Sequence, residues 1–426
     1  MINHQAIAYD STFRPSSAVR QDLVSLGDAF AIIVPLLQVV ELKMAGLLLA
    51  SDLALIAALP IALIRHPDRL KQRPVPVILT LGIFWFAAQI VTDMVRSSAP
   101  EDYLRGWVKI CFVLVNFTVV WLVICCSRRR FVLYGIGLSI GTILSFLVHP
   151  SEDAMNSPWK FALGIPITML VAMFAAQCKR YRFFGVLLPL VVLAIVHAYK
   201  DFRILAAISL IVPIYSLFLM SAKHEKLGRM RLVVLGITLA GGMMTFSLVY
   251  THYAKLGAFG KYAQQKTEAQ SGKGGMLLGG RSEILGASQA IIDSPLLGHG
   301  SWARDPRYAA ILADRSAALG YKHFQGGKKD DLIPMHSYLF GSWVEAGLAG
   351  GIFWLFVFSF TIYTIFNATG REPLLPMFAF SGLMLAWDIL FSPLGTPTRF
   401  VAPFFMAAMV VMLSFQTEPQ EYEWES

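Results

Sequence analysis

Apolar residues occupy this chain in long blocks, separated by short polar connections. Allowing a few residues at each end, the blocks fall at 26–40, 44–64, 75–94, 106–126, 131–148, 160–178, 183–198, 204–221, 232–250, 337–366, 374–391 and 399–415. About 20 apolar residues, rising 1.5 Å each, cross a hydrocarbon layer of about 30 Å. The pattern predicts an all-α, polytopic transmembrane helical bundle of about twelve spans. The first block is short and carries Pro35, which leaves eleven spans or a re-entrant piece open. The expected organisation is 1–250 as spans one to nine, 251–335 as one large, partly helical loop, 336–415 as spans ten to twelve, and 416–426 as a tail.

Composition agrees with the blocks. Of 426 residues, 56% are hydrophobic and only 15% are charged, too little charge to cover a soluble domain of this size. Residues 1–20 are polar, carry Arg14 and Arg20, and show no cleavable signal peptide. Every second connection is basic: Arg65/Arg69/Lys71/Arg73, Arg128/Arg129/Arg130, Lys179/Arg180/Arg182 and Lys223/Lys226/Arg229/Arg231. The alternate connections hold fewer cations: Lys43, then Arg96 and Arg105, Lys160, and Lys200 with Arg203. Basic loops stay cytoplasmic, so both termini are expected inside and 251–335 outside. The acidic residues of the tail, Glu418, Glu421 and Glu423, do not alter this, because carboxylates contribute little to topology. A net charge of +9 would suggest nucleic acid in a soluble chain; here the cytoplasmic loops account for it, and no nucleic-acid partner is expected. Cys111, Cys125, Cys126 and Cys178 all lie in or beside apolar blocks and read as buried small residues, not a disulfide framework.

The 251–335 loop has internal order. His252–Lys273 reads as helix followed by a flexible Gly-rich stretch. Ile284, Leu285, Ala287, Ala290 and Ile291 then keep a helical period that Pro295 closes. Gly298-His299-Gly300 reads as a tight turn and 303–319 as another short helix. Loops of this length that keep apolar periodicity are usually ordered and functional. Three basic residues converge on the outer face: Arg203 in the turn before the eighth span, Arg281 ahead of the amphipathic helix, and His336 at the mouth of the tenth span. Guanidinium groups make charge-assisted, bidentate bonds to phosphate, and a neutral imidazole beside them accepts a proton from a hydroxyl. Taken singly, each has a plainer reading: Arg203 as a snorkelling anchor, Arg281 as surface, His336 as a cap.

The segment His336-Ser337-Tyr338-Leu339, then Glu345, Gly347 and Gly350 at the start of an apolar helix, resembles the pattern His-Asn-x-x-Leu followed by Glu-x-Gly-x-x-Gly. That pattern belongs to the O-antigen ligase and O-antigen polymerase superfamily of bacterial envelope glycosyltransferases. Upstream, Gly280-Arg281 and Pro295-Leu296-Leu297-Gly298-His299-Gly300 resemble the family's Gly-Arg and Pro-Leu-x-Gly-x-Gly stretch. The likeness is firmest over 195–370. It implies a GT-C-like bundle in the bacterial inner membrane with a periplasmic active site. It further implies a donor glycan on polyprenyl diphosphate and an acceptor that is a second glycan or lipid A–core, with membrane lipid as a further partner. By the resemblance, Arg203 and Arg281 grip the diphosphate, and His336 positions or deprotonates the acceptor hydroxyl in a metal-independent, inverting transfer. Lys200, Tyr338 and Glu345 join Arg203 and Arg281 as expected substrate-binding residues. No cofactor is expected. Ser337 stands where the family has Asn, and Asp201-Phe202 replaces the small polar residues before its first Arg. Polymerase, ligase and protein oligosaccharyltransferase all stay open, with a polymerase favoured; the need for a chain-length regulator is open too.

Other features read more plainly. Ser271-Gly272-Lys273-Gly274-Gly275 lacks the spacing of a nucleotide loop and reads as a hinge. Trp302, Tyr308, Tyr321 and Phe324 are candidates for stacking on sugars or for interfacial anchoring. Asp52 and Asp388 are intramembrane acids with no partner evident from sequence. The competing class is a flippase for lipid-linked oligosaccharide. Transporters of that kind concentrate charge mid-membrane on broken helices, whereas this chain has one lopsided external loop.

Overall fold

The structure, a computed structural model, describes residues 25–417 except 45, 126, 178–181, 222–228, 322–330, 371, 373 and 396–397. Arg14, Arg20, Lys179, Arg180, Lys223, Lys226, Cys126, Cys178, Phe324 and the acidic tail lie outside the described residues. The described chain is helical apart from one short hairpin. The first part runs α1 (Leu26–Leu36), β1 (Glu41–Met44), β2 (Gly46–Leu49), α2 (Ala50–Arg65), α3 (Val75–Arg96), α4 (Pro100–Ile124), α5 (Arg128–Val148), α6 (Glu152–Asn156) and α7 (Gly164–Gln177). Next come α8 (Arg182–Tyr199), α9 (Arg203–Ser221), α10 (Arg229–Lys255), α11 (Lys261–Ala269), α12 (Gly275–Gly279), α13 (Ile284–Asp293) and α14 (Pro306–Ala318). The chain closes with α15 (Tyr338–Ala346), α16 (Leu348–Phe366), α17 (Leu375–Phe391) and α18 (Val401–Thr417).

Six described helices are long and apolar enough to cross a membrane: α3, α4, α5, the unit Trp159–Gln177 that ends in α7, α9 and α16. Shorter apolar helices occupy Leu26–Val39, Phe184–Tyr199, Leu375–Phe391 and Val401–Ser414. Two of the apolar blocks differ from a single helix. The block at 44–64 opens as the β1–β2 hairpin, because Asp52 accepts the Leu49 N–H at 2.9 Å and so starts α2 only at Ala50. The block at 337–366 is broken at Gly347, whose φ of 62° lies in the left-handed region that favours glycine. Any Cβ there would collide with the Leu296 carbonyl, so the break and the loop packed into it depend on this one residue.

The centre of the bundle is α17 and α18, buried from Leu375 to Met384 and from Phe404 to Met412 among α4, α7, α9 and α16. Peripheral helices instead turn apolar side chains outward. Ile83, Phe84 and Val91 on α3, and Phe184, Leu188 and Ile195 on α8, are all at least half exposed. An apolar belt of this kind is what a helix presents to lipid, not to water. The two ends of the bundle differ in chemistry. At one, the Trp121 indole donates to the Arg69 carbonyl, and Arg129 and Arg130 pair with Asp28. At the other, the ends of α3, α4, α9, α15 and α17 gather under the 255–335 segment.

Candidate functional site

The two stretches that carry the family resemblance bond to each other. The segment after α13 docks onto the last turn of α15: the N–H groups of His299, Gly300 and Leu348 donate to the carbonyls of Val344, Glu345 and Leu296 at 2.7, 3.0 and 3.2 Å. Helix-end carbonyls otherwise lacking partners are thereby satisfied. Gly298, at φ 82°, has no room for a Cβ against Glu345 and Gly347. From the other side α3 holds the same segment. Thr92 donates to Leu297 O at 2.6 Å, and Arg96 donates to Gly298 O at 3.0 Å and Ser294 Oγ at 2.7 Å. Buried Asp93 accepts from both the Ser301 amide and its hydroxyl.

On this frame Arg281 and His336 line one small pocket with Ile284, Ala287, Ser337, Phe340, Leu390 and Phe391. Its volume is about 10 Å³, roughly what one water occupies. Ser337 caps α15 by accepting the Phe340 N–H at 3.1 Å and ties it to α17 by donating to Ile389 O at 2.8 Å. That fixes the residue before it, His336, at the pocket mouth. Arg281 donates to the Gly280 carbonyl at 2.9 Å, lies over the Trp387 ring, and keeps Nε buried with no acceptor. Glu283 leaves Oε2 buried and unpartnered nearby. Burial pushes the His336 imidazole below its ordinary pKa; the Glu283 carboxylate pulls it up, while Arg281 and Lys160 push it further down. An imidazole so placed is neutral at neutral pH and free to accept a proton.

Arg203 belongs to the same electrostatic neighbourhood but is already engaged. Its guanidinium donates to Asp201 at 3.0 Å, Gln270 at 3.0 Å and Thr267 at 3.1 Å, and lies 4.9 Å from the Tyr250 ring centroid. It thus pins α11 to the turn before α9. Asp201 also pairs with Lys266 and accepts from Tyr250 at 2.9 Å. Burial opposes ionisation of Asp201, but Lys266 and Arg203 outweigh it and hold its carboxyl below the usual range. The Asp-Phe pair that departs from the family pattern is therefore a clamp for the Arg.

Lys160 and Lys266 each lie within electrostatic reach of both Arg203 and Arg281. Lys160 stands on a π-helical turn, Trp159–Leu163, anchored where the Trp159 indole donates to His197 Nδ1 at 2.8 Å. Turns of this kind interrupt helices frequently at functional sites. Asp201 answers Arg203 and Lys266, while neither Lys160 nor Arg281 has a carboxylate at ion-pair distance among the described residues. Lys160 and Lys266 went unassigned from sequence: one reads as a topology charge, the other as part of a polar stretch. A lone Lys between Trp159 and Phe161 at an external span start was the one available signal.

Three of the expected substrate-binding residues are placed elsewhere. Lys200 is exposed over the Tyr199 ring and is not among the residues lining the pocket. Tyr338 is buried against Trp354, with ring centroids 4.9 Å apart, and is part of the core. Glu345 is 4% exposed and forms a 2.5 Å ion pair with Lys109, which in turn caps the Trp302 ring at 4.6 Å. Glu345 thereby locks α15 to α4. Tyr308 and Tyr321 are also buried. Gly272 and Gly274 pack directly on Tyr321, which makes the Gly-rich stretch a close contact instead of a slack hinge. Asp52 pairs with Arg399 at 3.1 Å, and Asp388 lies near Arg281. None of the family models, curated proteins or solved structures compared with this chain matches it.

Proposed function

We propose that this chain is a bacterial inner-membrane glycosyltransferase of the O-antigen ligase and polymerase type, with about twelve spans, cytoplasmic termini and a periplasmic site. Its donor is an oligosaccharide on polyprenyl diphosphate, and the favoured reaction is polymerisation of repeat units onto a second lipid-linked glycan. A ligase onto lipid A–core is the alternative. One observation carries this reading: Arg281, which among the described residues has no carboxylate at ion-pair distance, lines one pocket with His336, and Lys160 adds its positive field to both.

In the proposed transfer, His336 takes the proton of the acceptor hydroxyl as its oxygen attacks the anomeric carbon of the donor. The bond from that carbon to the diphosphate oxygen breaks, and its electron pair leaves with polyprenyl diphosphate. Arg281 and Lys160 meet the charge that grows on the departing diphosphate, which is where fixed cations lower a barrier most. Arg203 adds to the field while holding α11 in place. The pocket, at about 10 Å³, must widen around Arg281 to admit the headgroup.

The test is turnover of a fluorescent polyprenyl-diphosphate oligosaccharide by protein in nanodiscs. Wild type should release polyprenyl diphosphate and elongate glycan; His336→Ala should bind the lipid and do neither. Unchanged turnover in His336→Ala contradicts the proposal and favours a transporter.

A further inference from the structure

A second cavity lies at the Asp293 end of α13, whose first turn lines the His336 pocket. It is a cleft of about 630 Å³, within the roughly 300–1,000 Å³ typical of small-molecule sites. Its wall includes Asp293, His299, Arg304, Asp305, Arg307 and Ile333. The charges in it are answered by one another. Arg304 pairs with Asp102 at 2.5 Å, and Arg307 binds both oxygens of Asp305, Oδ1 at 3.1 Å through Nε and Oδ2 at 2.6 Å through Nη2. Asp293 accepts from Tyr308 and from Gln289, each at 2.9 Å. These pairs are partly exposed, and exposed ion pairs contribute little stability. What they do provide is a set of planar carboxylate and guanidinium groups lining one opening.

This chemistry differs from that of the His336 pocket. There, among the described residues, neither Lys160 nor Arg281 has a carboxylate at ion-pair distance, and an anion is the natural guest. In the cleft, Arg304 and Arg307 are neutralised, and the third arginine, Arg96, is spent on Ser294 and Gly298. Alternating donors and acceptors of balanced charge suit vicinal hydroxyls, each of which both donates and accepts. The two cavities are also close. Ile333 lines the cleft and His336 the pocket, and three residues of extended chain reach no further than about 10 Å. The length of α13 between them, Ile284 to Asp293, is about 14 Å at helical rise.

We propose that this cleft is a saccharide-binding subsite that holds uncharged, hydroxyl-rich sugar units of the acceptor and leads its terminal hydroxyl to His336; its link to transfer rests on the glycosyltransferase reading above. The loop that forms it is braced by α3 through the bonds of Thr92, Arg96 and Asp93 and by α15 through the His299 and Gly300 amides, so the subsite is formed before the ligand arrives.

The experiment is saturation-transfer NMR on the full-length protein in nanodiscs, with maltotriose, cellotriose and chitotriose as probes and a serine-rich peptide as control. At least one trisaccharide should bind saturably. Arg307→Ala and Asp293→Asn should weaken it by about tenfold, the loss of one charge-assisted hydrogen bond, and Arg281→Ala should leave it unchanged. Should Asp293→Asn unfold by releasing Tyr308, exposed Arg307 carries the test alone. No binding by any trisaccharide, binding that survives Arg307→Ala, or binding of the peptide in their place overturns the proposal. Failure here leaves release of polyprenyl diphosphate intact, whereas failure of the transferase reading leaves the trisaccharide titration intact.

Discussion

Arg281 and His336 line the same pocket although a whole helix, α13, separates them along the chain. The connection is mechanical. Ser337 nails the start of α15 to α17, and the Arg281 guanidinium rests over Trp387 of the same α17. Both groups are therefore placed by one buried helix, the kind of rigid support that a catalytic constellation needs.

The two arginines expected to act alike should behave differently. Arg281→Ala removes a guanidinium with a spare, buried N–H and should weaken binding of polyprenyl-diphosphate donor roughly ten- to a hundredfold, with little change in melting temperature. Arg203→Ala removes bonds to Asp201, Thr267 and Gln270 and should cost about 1–3 kcal/mol of stability. Donor titration and thermal unfolding of the two variants separate these outcomes.

The pH dependence follows from the direction of the His336 shift. A pKa held below 6.5 keeps the imidazole neutral at neutral pH, so activity should fall only as pH drops through that lowered value. Glu283→Gln removes the carboxylate that pulls the pKa up and should move the acid limb to lower pH. Lys160→Met removes a cation that pushes it down and should move the limb up. Profiles of kcat/KM against pH in the three proteins check both signs; a limb that neither variant moves counts against His336 as the base.

Glu345 is a stability residue. Glu345→Gln leaves the Lys109 ammonium buried without its anion and should destabilise by about 3–5 kcal/mol. The double variant Lys109→Met with Glu345→Leu should recover much of that loss, because removing both charges removes the desolvation problem. Heat unfolding followed by tryptophan fluorescence reads the difference.

Gly347 carries the break between α15 and α16. Gly347→Ala meets both the positive φ and the Leu296 carbonyl, and should cost at least about 1–3 kcal/mol while loosening the 294–300 segment from α15. Faster amide exchange at His299 and Gly300 than in wild type is the expected sign; unchanged exchange contradicts the docking role.

Hydropathy made the helices legible, because a span needs a run of apolar residues whatever its neighbours. Arg281 and His336 were legible because each stands at the border between polar loop and helix. Lys160 was not: one lysine at a span start looks the same whether it faces phosphate or lipid headgroups. Asp52 and Arg399 meet from opposite ends of the chain, and no local pattern announces such a pair. The β1–β2 hairpin was hidden because Gly46–Leu49 is as apolar as the helix it precedes. Tyr338 and Glu345 follow closely on His336 in sequence, yet the helix turns them to other faces, Tyr338 against Trp354 and Glu345 onto Lys109.

The anion pocket itself is tested most directly by titrating polyprenyl diphosphate, carrying no sugar, into wild type, Lys160→Met, Arg281→Ala and His336→Ala in nanodiscs. Saturable binding that Lys160→Met and Arg281→Ala both weaken, and that His336→Ala leaves unchanged, is the predicted result. Equal affinity in all four proteins, or no saturable binding in wild type, contradicts it.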